Sequence, residues 1–441
     1  MKKKPCSFDG VKIINPKLYK DHSKDQVNKI YSYYAGYSNS FARNILMSMK
    51  LNKDAVVFDP WNGSGTTTTT ANEIGFDAIG FDLNPVMVLV AKAEMLSPLE
   101  YPSLVAIAKT IVEQAIDSNK NMALDERDPL LIWFDDSSAG FIRSIELKIN
   151  KILIMADDYR YLHDNESINY VSPLAAFFYI ALFKAVRDIL SNFVPSNPTW
   201  TKKPKSDADQ VSKSMKYISS SFMSEVISTI YARKDVSNQM MESKAKVKLE
   251  IGNAEDLDLE GAAIDLIVSS PPYCTRIDYA ISTSIELAIL QYERSKFDKL
   301  RRAMTGTSTV EPSALQIEDE WGPTCINFLD KVYSHKSKAS SGYYFKNHVQ
   351  YYSSIFNSLK EISRVLKHGG AGILVAQDSC YKELHNDVPG VTAEMAKNLG
   401  LHLVRRDDFE SKKSMSLINT KSNVYSPQKR PVESVLCFVK T

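Results

Sequence analysis

Ala55-Val-Val-Phe-Asp-Pro-Trp-Asn-Gly-Ser-Gly-Thr66 runs a short apolar strand directly into a turn carrying two glycines. Residues 67–74 behind it can form a helix, Gly75 closes that helix, and Ala78-Ile-Gly-Phe-Asp82 reads as a second strand. Strand, glycine turn, helix, strand is the opening unit of a doubly wound, mostly parallel α/β sheet. Gly63 and Gly65 let the backbone bend tightly and approach a ligand, while the helix N-terminus behind them offers N–H groups without partners. Asp82 follows Gly65 by about 17 residues, close to the spacing at which an acidic side chain meets ribose hydroxyls in nucleotide-type cofactors. No lysine follows the second glycine, which excludes the triphosphate-binding P-loop. A glycine turn alone is weak; the strand before it, the helix after it and the acid ending the next strand together point to a cofactor site.

A second stretch, Asp265-Leu-Ile-Val-Ser-Ser-Pro-Pro-Tyr273, ends another apolar strand on two consecutive prolines. Neither can donate to a sheet ladder, so the chain leaves the sheet in a rigid extended corner. The corner holds the Ser270 hydroxyl, the Pro271 carbonyl and the Tyr273 ring close together, and strand carboxyl ends are where ligands bind in open α/β sheets. Two acceptors beside an aromatic face suit a flat base bearing an exocyclic amino group. An ordinary proline turn is the bland alternative.

Composition sets outer limits. The chain has 441 residues and a formal net charge of +2, so a nucleic-acid partner has to be met by local patches rather than by an overall basic field. Cys6, Cys274, Cys325, Cys380 and Cys437 are scattered and the seven histidines do not cluster with them, so neither a disulfide framework nor a metal site is expected. Met-Lys-Lys-Lys at the start is not followed by an apolar run, and the most apolar window, Leu174 to Phe183, is too short for a bilayer. A cytoplasmic, non-membrane protein is the expectation.

Between the second and third strands, residues 97–246 interrupt the alternation with helical segments near 103–116, 140–156, 173–190 and 215–231. This large helical insertion leans acidic up to Pro195 and basic from Ser196 onward. At the change lies a proline-punctuated loop with Trp200 beside Lys202, Lys203 and Lys205, a combination suited to phosphate contacts plus a stacking group, or else to a solvated loop with one anchoring tryptophan. Val247, Leu249 and Ile251 then alternate as in a strand, and Asn253 follows at its carboxyl end, placed for an adenine edge or simply for a turn. Beyond the corner, Arg276 and Asp278 suit base or backbone contacts, or a mutual ion pair. A helix over 284–294 precedes a polar, irregular stretch running to about Asn347 that is expected to order on a partner. A helix over 351–366 ended by His368-Gly-Gly370, strands at 371–376, 402–405 and 434–439, and a helix over 392–399 complete the chain.

Phe58-Asp-Pro-Trp-Asn-Gly-Ser-Gly-Thr-Thr67 together with Ser270-Pro-Pro-Tyr273 resembles the DNA amino-methyltransferases, which methylate N4 of cytosine or N6 of adenine using S-adenosylmethionine (AdoMet). The first motif departs from the family's Asp-Pro-Phe-x-Gly-Ser-Gly-Thr-Thr only at Trp61. The resemblance covers residues 23–96 and 247–441, and it makes residues 1–96 and 247–441 one Rossmann-like AdoMet-dependent methyltransferase catalytic domain with a seven-stranded type of sheet. Two regions are left for target recognition: the 97–246 insertion and a second variable stretch over 280–347. By the same resemblance Asp59, Pro60, Asn62, Gly63, Gly65, Thr66, Asp82, Asn84 and Asn253 hold AdoMet, and Ser270, Pro271, Pro272 and Tyr273 are catalytic. Trp200, Lys202, Lys203, Lys205 and Arg276 are the candidates for DNA contact.

Serine before Pro-Pro-Tyr goes in that family more often with N4-cytosine than with N6-adenine, so cytosine is the expected target and adenine the alternative. C5 methylation needs a Pro-Cys pair, and here Tyr273 separates Pro272 from Cys274. The implied partner is double-stranded DNA; a cognate restriction endonuclease or other defence-system protein is compatible with it. Two readings of other kinds are a degenerate DNA- or protein-binding module, disfavoured by the intact motifs, and methylation of RNA or a protein amide.

Overall fold

In the structure, a computed structural model, the residues described are 6–17, 30–31, 36–119, 124–154, 159–195, 200–237, 245–274, 277–310, 316–410 and 431–441. Strands β1 (Val56–Asp59), β2 (Asp77–Asp82), β3 (Val247–Ile251), β4 (Ile264–Ser269), β5 (Leu366–Gln377), β8 (Leu401–Glu410) and β9 (Val432–Lys440) form one sheet in the order β3-β2-β1-β4-β5-β9-β8. A separate hairpin joins β6 (Ser379–Tyr381) to β7 (Leu384–Asn386). The pairs among β1 to β5 are parallel, and β9 runs antiparallel between β5 and β8. The expected doubly wound, mostly parallel α/β sheet is therefore present.

Alternation along the strands gives the sheet two apolar faces, because successive side chains point to opposite sides. Val57, Leu266, Val268, Ile373, Val375, Val435 and Cys437 share one cluster with helix α1 (Asn39–Ser48) and the 6–17 segment. Phe58, Ile267, Leu374, Leu436 and Phe438 belong to the other. The spacing of Val27, Ile30 and Tyr34, then of Phe41, Ile45, Leu46 and Met49, predicts two helical pieces broken near Gly36, and Gly36, at φ +115°, does break the chain before α1. The companion helical piece falls mostly outside the described residues, although Ile30 and Tyr31 are buried.

Helix α2 (Thr66–Ile74) returns the chain from β1 to β2, and α3 (Pro85–Glu94) leaves β2. The insertion is the expected helical block: α4 (Tyr101–Asn119), α5 (Asp136–Leu153), α6 (Pro173–Ile189) and α7 (Met215–Ser237). Its core is continuous with α3 and with residues 285–292, so the insertion is packed into the molecule rather than hung from it. The apolar 174–183 window lies in α6, and among the described residues no helix is long and apolar enough to cross a membrane.

Past the corner the structure corrects the sequence reading. The stretch to Asn347 is not irregular: α8 (Arg294–Ala303) and α9 (Pro323–Tyr333) are formed, with Trp321 fully buried between them in the chain. The helix expected over 284–294 stops at Ile289, and Gln291 at φ +59° turns the chain before α8 begins. Helix α10 (Phe345–Val365) starts six residues earlier than expected, and α11 (Val388–Asn398) four earlier, on an Asp387 N-cap.

Candidate active site

Sheet order reverses between β1 and β4, which pair in parallel through Val57–Leu266 and Phe58–Ile267. A ligand crevice belongs at such a switch point, outside the strand carboxyl ends. There the turn after β1 and the corner after β4 rim one cleft of about 970 Å³ counted to its open mouth. Asp59, Pro60, Asn62, Gly63, Thr66, Asp82, Asn84, Asn253 and the whole of Ser270 to Tyr273 line it. Two motifs about 200 residues apart in sequence thus share one wall-to-wall space.

Gly63 takes φ +50°, and its N–H donates to Asp82 Oδ2 at 2.9 Å. Asn84 N–H donates to Asp82 Oδ1 at 2.8 Å, so the carboxylate at the end of β2 is oriented by two backbone donors. Burial raises its pKa to about 6 against those hydrogen bonds. Asp59, at the end of β1, is 3 % exposed and likewise pushed up to about 6 by burial, although Ser269 Oγ and Trp61 N–H donate to it. Helix α2 begins at Gly65, which has no side chain to cap the first N–H groups, and Thr66 in its first turn lines the cleft. An uncapped helix start beside a two-donor carboxylate suits a ligand with an anionic end and a hydroxylated ring.

Some of these residues have structural work instead of, or besides, ligand contact. Gly65 does not line the cleft: a Cβ there would lie 2.9 Å from Ala91 Cβ, so its lack of a side chain serves the close approach of α2 to α3. Asn84 Oδ1 caps α3 by accepting from Val86 N–H, and its Nδ2 donates to Thr283 Oγ1 at 2.8 Å. Asn62 packs its amide against Gly80 and accepts from Thr68 Oγ1 at 3.0 Å. Asn253 Oδ1 accepts from Glu255 N–H at 3.0 Å in a local turn.

The corner is fixed from three directions. Ser270 Oγ donates to the Val375 carbonyl of β5 at 3.0 Å, Tyr351 Oη donates to the Pro272 carbonyl at 3.0 Å, and Tyr273 Oη donates to Glu433 Oε1 at 2.5 Å. Glu433 is 2 % exposed and its Oε2 has no partner among the described residues. Lys17 completes the cluster, with Nζ 3.2 Å from Glu433 Oε1, 3.3 Å from Gln377 Oε1 and 5.4 Å from the Tyr273 ring centroid. Burial and the Glu433 carboxylate together hold the Tyr273 phenol well above its usual range, so it remains the donor. Sequence reading missed Glu433 and Lys17, because nothing local marks a carboxylate in β9 or a lysine in the N-terminal segment as neighbours of residue 273. It also missed Tyr37, Tyr279, Met304 and Thr305, which line the cleft.

Trp200 is half exposed and Lys202, Lys203 and Lys205 are exposed, outside the cleft lining. Arg276 lies outside the described residues. Asp278, for which an ion pair with Arg276 was one reading, pairs with Arg301 at 2.6 Å and caps the short helix 279–282. Asp265, near the start of β4, has a structural place, accepting from Val56 N–H and pairing with Lys367. Among the described residues no group of acidic, His or Cys side chains could hold a metal ion.

Fold and site together define a Rossmann-like α/β protein with a nucleotide-type ligand cleft closed on one side by a Ser270-Pro-Pro-Tyr273 corner. The profile of a family described as DNA methylase matches residues 14–93. The chain is 22% identical over 353 residues to the type II methyltransferase M.BsoBI of Geobacillus stearothermophilus, a match covering 76% of this chain and 66% of that protein. It is 27% identical over 152 residues to the type II methyltransferase M.AvaI of a Nostoc species, covering 32% and 31% respectively. The match thus spans slightly less than two thirds of the first relative's length and about a third of the second's. Among solved structures, a SAM-dependent methyltransferase of Methanosarcina mazei aligns over 88% of this chain and 94% of its own, at 8% identity and a TM-score of 0.29, too slight a likeness to bear on the fold. The chain is thus similar to DNA methylases over residues 14–93 and, at low identity, to type II methyltransferases over most of its length.

Proposed function

We propose that this chain is a site-specific DNA methyltransferase that transfers a methyl group from AdoMet to the exocyclic N4 amino group of cytosine in duplex DNA. The observation carrying this reading is the state of Ser270: its hydroxyl proton is committed to the Val375 carbonyl, so the oxygen's lone pairs are left to accept, within the same cleft as Asp82.

Asp82 would hold the ribose hydroxyls of AdoMet, the uncapped start of α2 its carboxylate, and Asn253 Nδ2 its adenine edge. When bound, AdoMet supplies an electrophilic sulfonium methyl. The target cytosine is extruded from the duplex and lies against Tyr273. Ser270 Oγ and the Pro271 carbonyl then accept the two amino hydrogens, turning the nitrogen lone pair out of conjugation toward the methyl. As the amino nitrogen took the methyl, the sulfonium S–C bond would break with its electron pair staying on sulfur, S-adenosylhomocysteine would leave, and the nitrogen, acidic only then, would release one proton to solvent. No strong base is needed; alignment in a site partly closed to water supplies the rate. Residues 97–246 and 280–347 are the candidate target-reading regions, with Trp200, Lys202, Lys203, Lys205 and Arg276 at the DNA.

Incubation of the purified chain with tritiated AdoMet and plasmid DNA, followed by nucleoside analysis, tests the reading. Label in N4-methylcytosine is expected; label in N6-methyladenine would move the target to adenine, and label in neither base would overturn the enzyme reading. Ser270→Ala is expected to lower transfer about 100-fold or more while AdoMet affinity stays unchanged. A fully active Ser270→Ala chain would remove the serine from the mechanism.

A further inference from the structure

Helix α8 places Arg294, Lys296, Lys299, Arg301 and Arg302 against a single acid, Asp298, in a chain whose formal net charge is only +2. A basic helix is ordinarily a solvated face. The way this one is held argues for more. Phe297 and Leu300 rest on the core shared with the insertion, and Arg301 Nε reaches Asp278 Oδ2 at 2.6 Å. Asp278 is 5 % exposed and caps the helical turn 279–282, so the rotation of α8 about its own axis is pinned to the chain leaving the corner. By helical periodicity Lys299 and Arg302 are on the side opposite Phe297 and Leu300, and both are exposed. Arg294, at the first turn, has a side chain 96% exposed. Lys296 is turned to the insertion instead, 2.8 Å from His163 Nδ1 and close to the Tyr161 ring.

Position relative to the cleft is the second observation. The end of α8 runs directly into Met304 and Thr305, which line the cleft, and Tyr279 of the pinned turn lines it too. The loop bearing Lys202, Lys203 and Lys205 is tied to that same turn, because Thr201 Oγ1 donates to the Ile281 carbonyl at 3.1 Å. Two groups of exposed cations, about 100 residues apart in sequence, are therefore both anchored to residues 278–281 beside the cleft.

We infer that α8 and the 200–205 loop form a two-part phosphate-binding rim that holds the duplex backbone while a nucleotide occupies the cleft, with Arg294, Lys299 and Arg302 as the contacts from α8. This rests on the DNA-methyltransferase reading and assigns it a surface. Backbone contacts of this kind set affinity and register without reading sequence, and the counterions released as each phosphate is neutralised add to the salt dependence.

The test is the salt dependence of binding to a short duplex of arbitrary sequence, followed by fluorescence anisotropy. The triple variant Arg294→Gln, Lys299→Gln, Arg302→Gln is expected to lower the slope of log K against log salt by roughly 2 to 3, at about 0.9 per lost phosphate contact. AdoMet affinity is expected to stay as in the wild type. The single variant Lys299→Glu, read by the same slope, serves if the triple variant is poorly soluble. A wild-type chain that methylates DNA, with variants whose slope is unchanged, would overturn the rim while leaving the activity standing. A wild-type chain that neither binds nor methylates DNA would overturn both.

Discussion

Asp59 and Asp82 end adjacent strands, and burial holds both near a pKa of about 6. Since these values lie above those of the unfolded chain, the stabilising contribution is present in acid and is lost as pH rises from about 4 through 6. Under the proposed function ligand binding has the opposite sign, because a charged Asp82 would be the better acceptor for ribose hydroxyls. Calorimetry is expected to show AdoMet affinity falling as pH drops below about 6, approaching tenfold per unit. Asp82→Asn should bind weakly and with a flat profile over the same range. Glu433 supplies a second test at this scale. Its carboxylate holds the Tyr273 phenol, so Glu433→Leu is expected to lower kcat at least about tenfold with AdoMet affinity within twofold. Tyr273→Phe combined with Glu433→Leu should be no worse than Glu433→Leu alone, since both changes remove the same bond. Additive losses in that double variant would show that Glu433 acts elsewhere.

The turn between β1 and α2 shows how one element carries two constraints. Gly65 sits at φ +82° at the start of α2 and lets α3 approach within contact of its backbone. Gly65→Ala therefore meets both a left-handed backbone and Ala91, and is expected to cost about 2–4 kcal/mol in urea denaturation. The glycine pattern was plain in the sequence, but its division of labour was not: Gly63 faces the ligand cleft and Gly65 faces a helix. Asn84 has a similar history, since its place after the strand acid reads as a ligand while its side chain caps α3. Helix α8 escaped sequence reading because charge dominates it and because no glycine or proline marks the turn at Gln291 before it, whereas α9 was missed although Gly322 and Pro323 mark its start.

Across the molecule, the insertion is held to the rest of the chain by buried charge as well as by apolar packing. Arg143 makes a two-pronged pair with Asp128, contacts Glu146 at 3.2 Å and donates to the Ala288 and Ile289 carbonyls beyond the corner. Arg187 pairs with Glu286, which also accepts from Tyr31, and Arg233 pairs with Glu94 of α3. Removing one member of such a cluster strands the rest in low dielectric. Arg143→Met is expected to cost about 3–5 kcal/mol in chemical denaturation, although it lies outside the lining of the cleft. A loss below 1 kcal/mol would mean that the insertion is only loosely coupled to the segment it grips.

Local pattern alone determined the α/β alternation, the glycine turn, the acid after β2, the proline corner and the existence of a helical insertion, because period-2 and period-3.6 spacing and the backbone limits of glycine and proline are properties of neighbouring residues. Tertiary structure alone decided that the Gly63 turn and the Pro271 corner share a cleft, that Glu433 and Lys17 hold Tyr273, and that α8 and the 200–205 loop hang from one turn. Those are contacts between residues tens to hundreds of positions apart, made by parallel crossovers and strand order, and no local spacing encodes them.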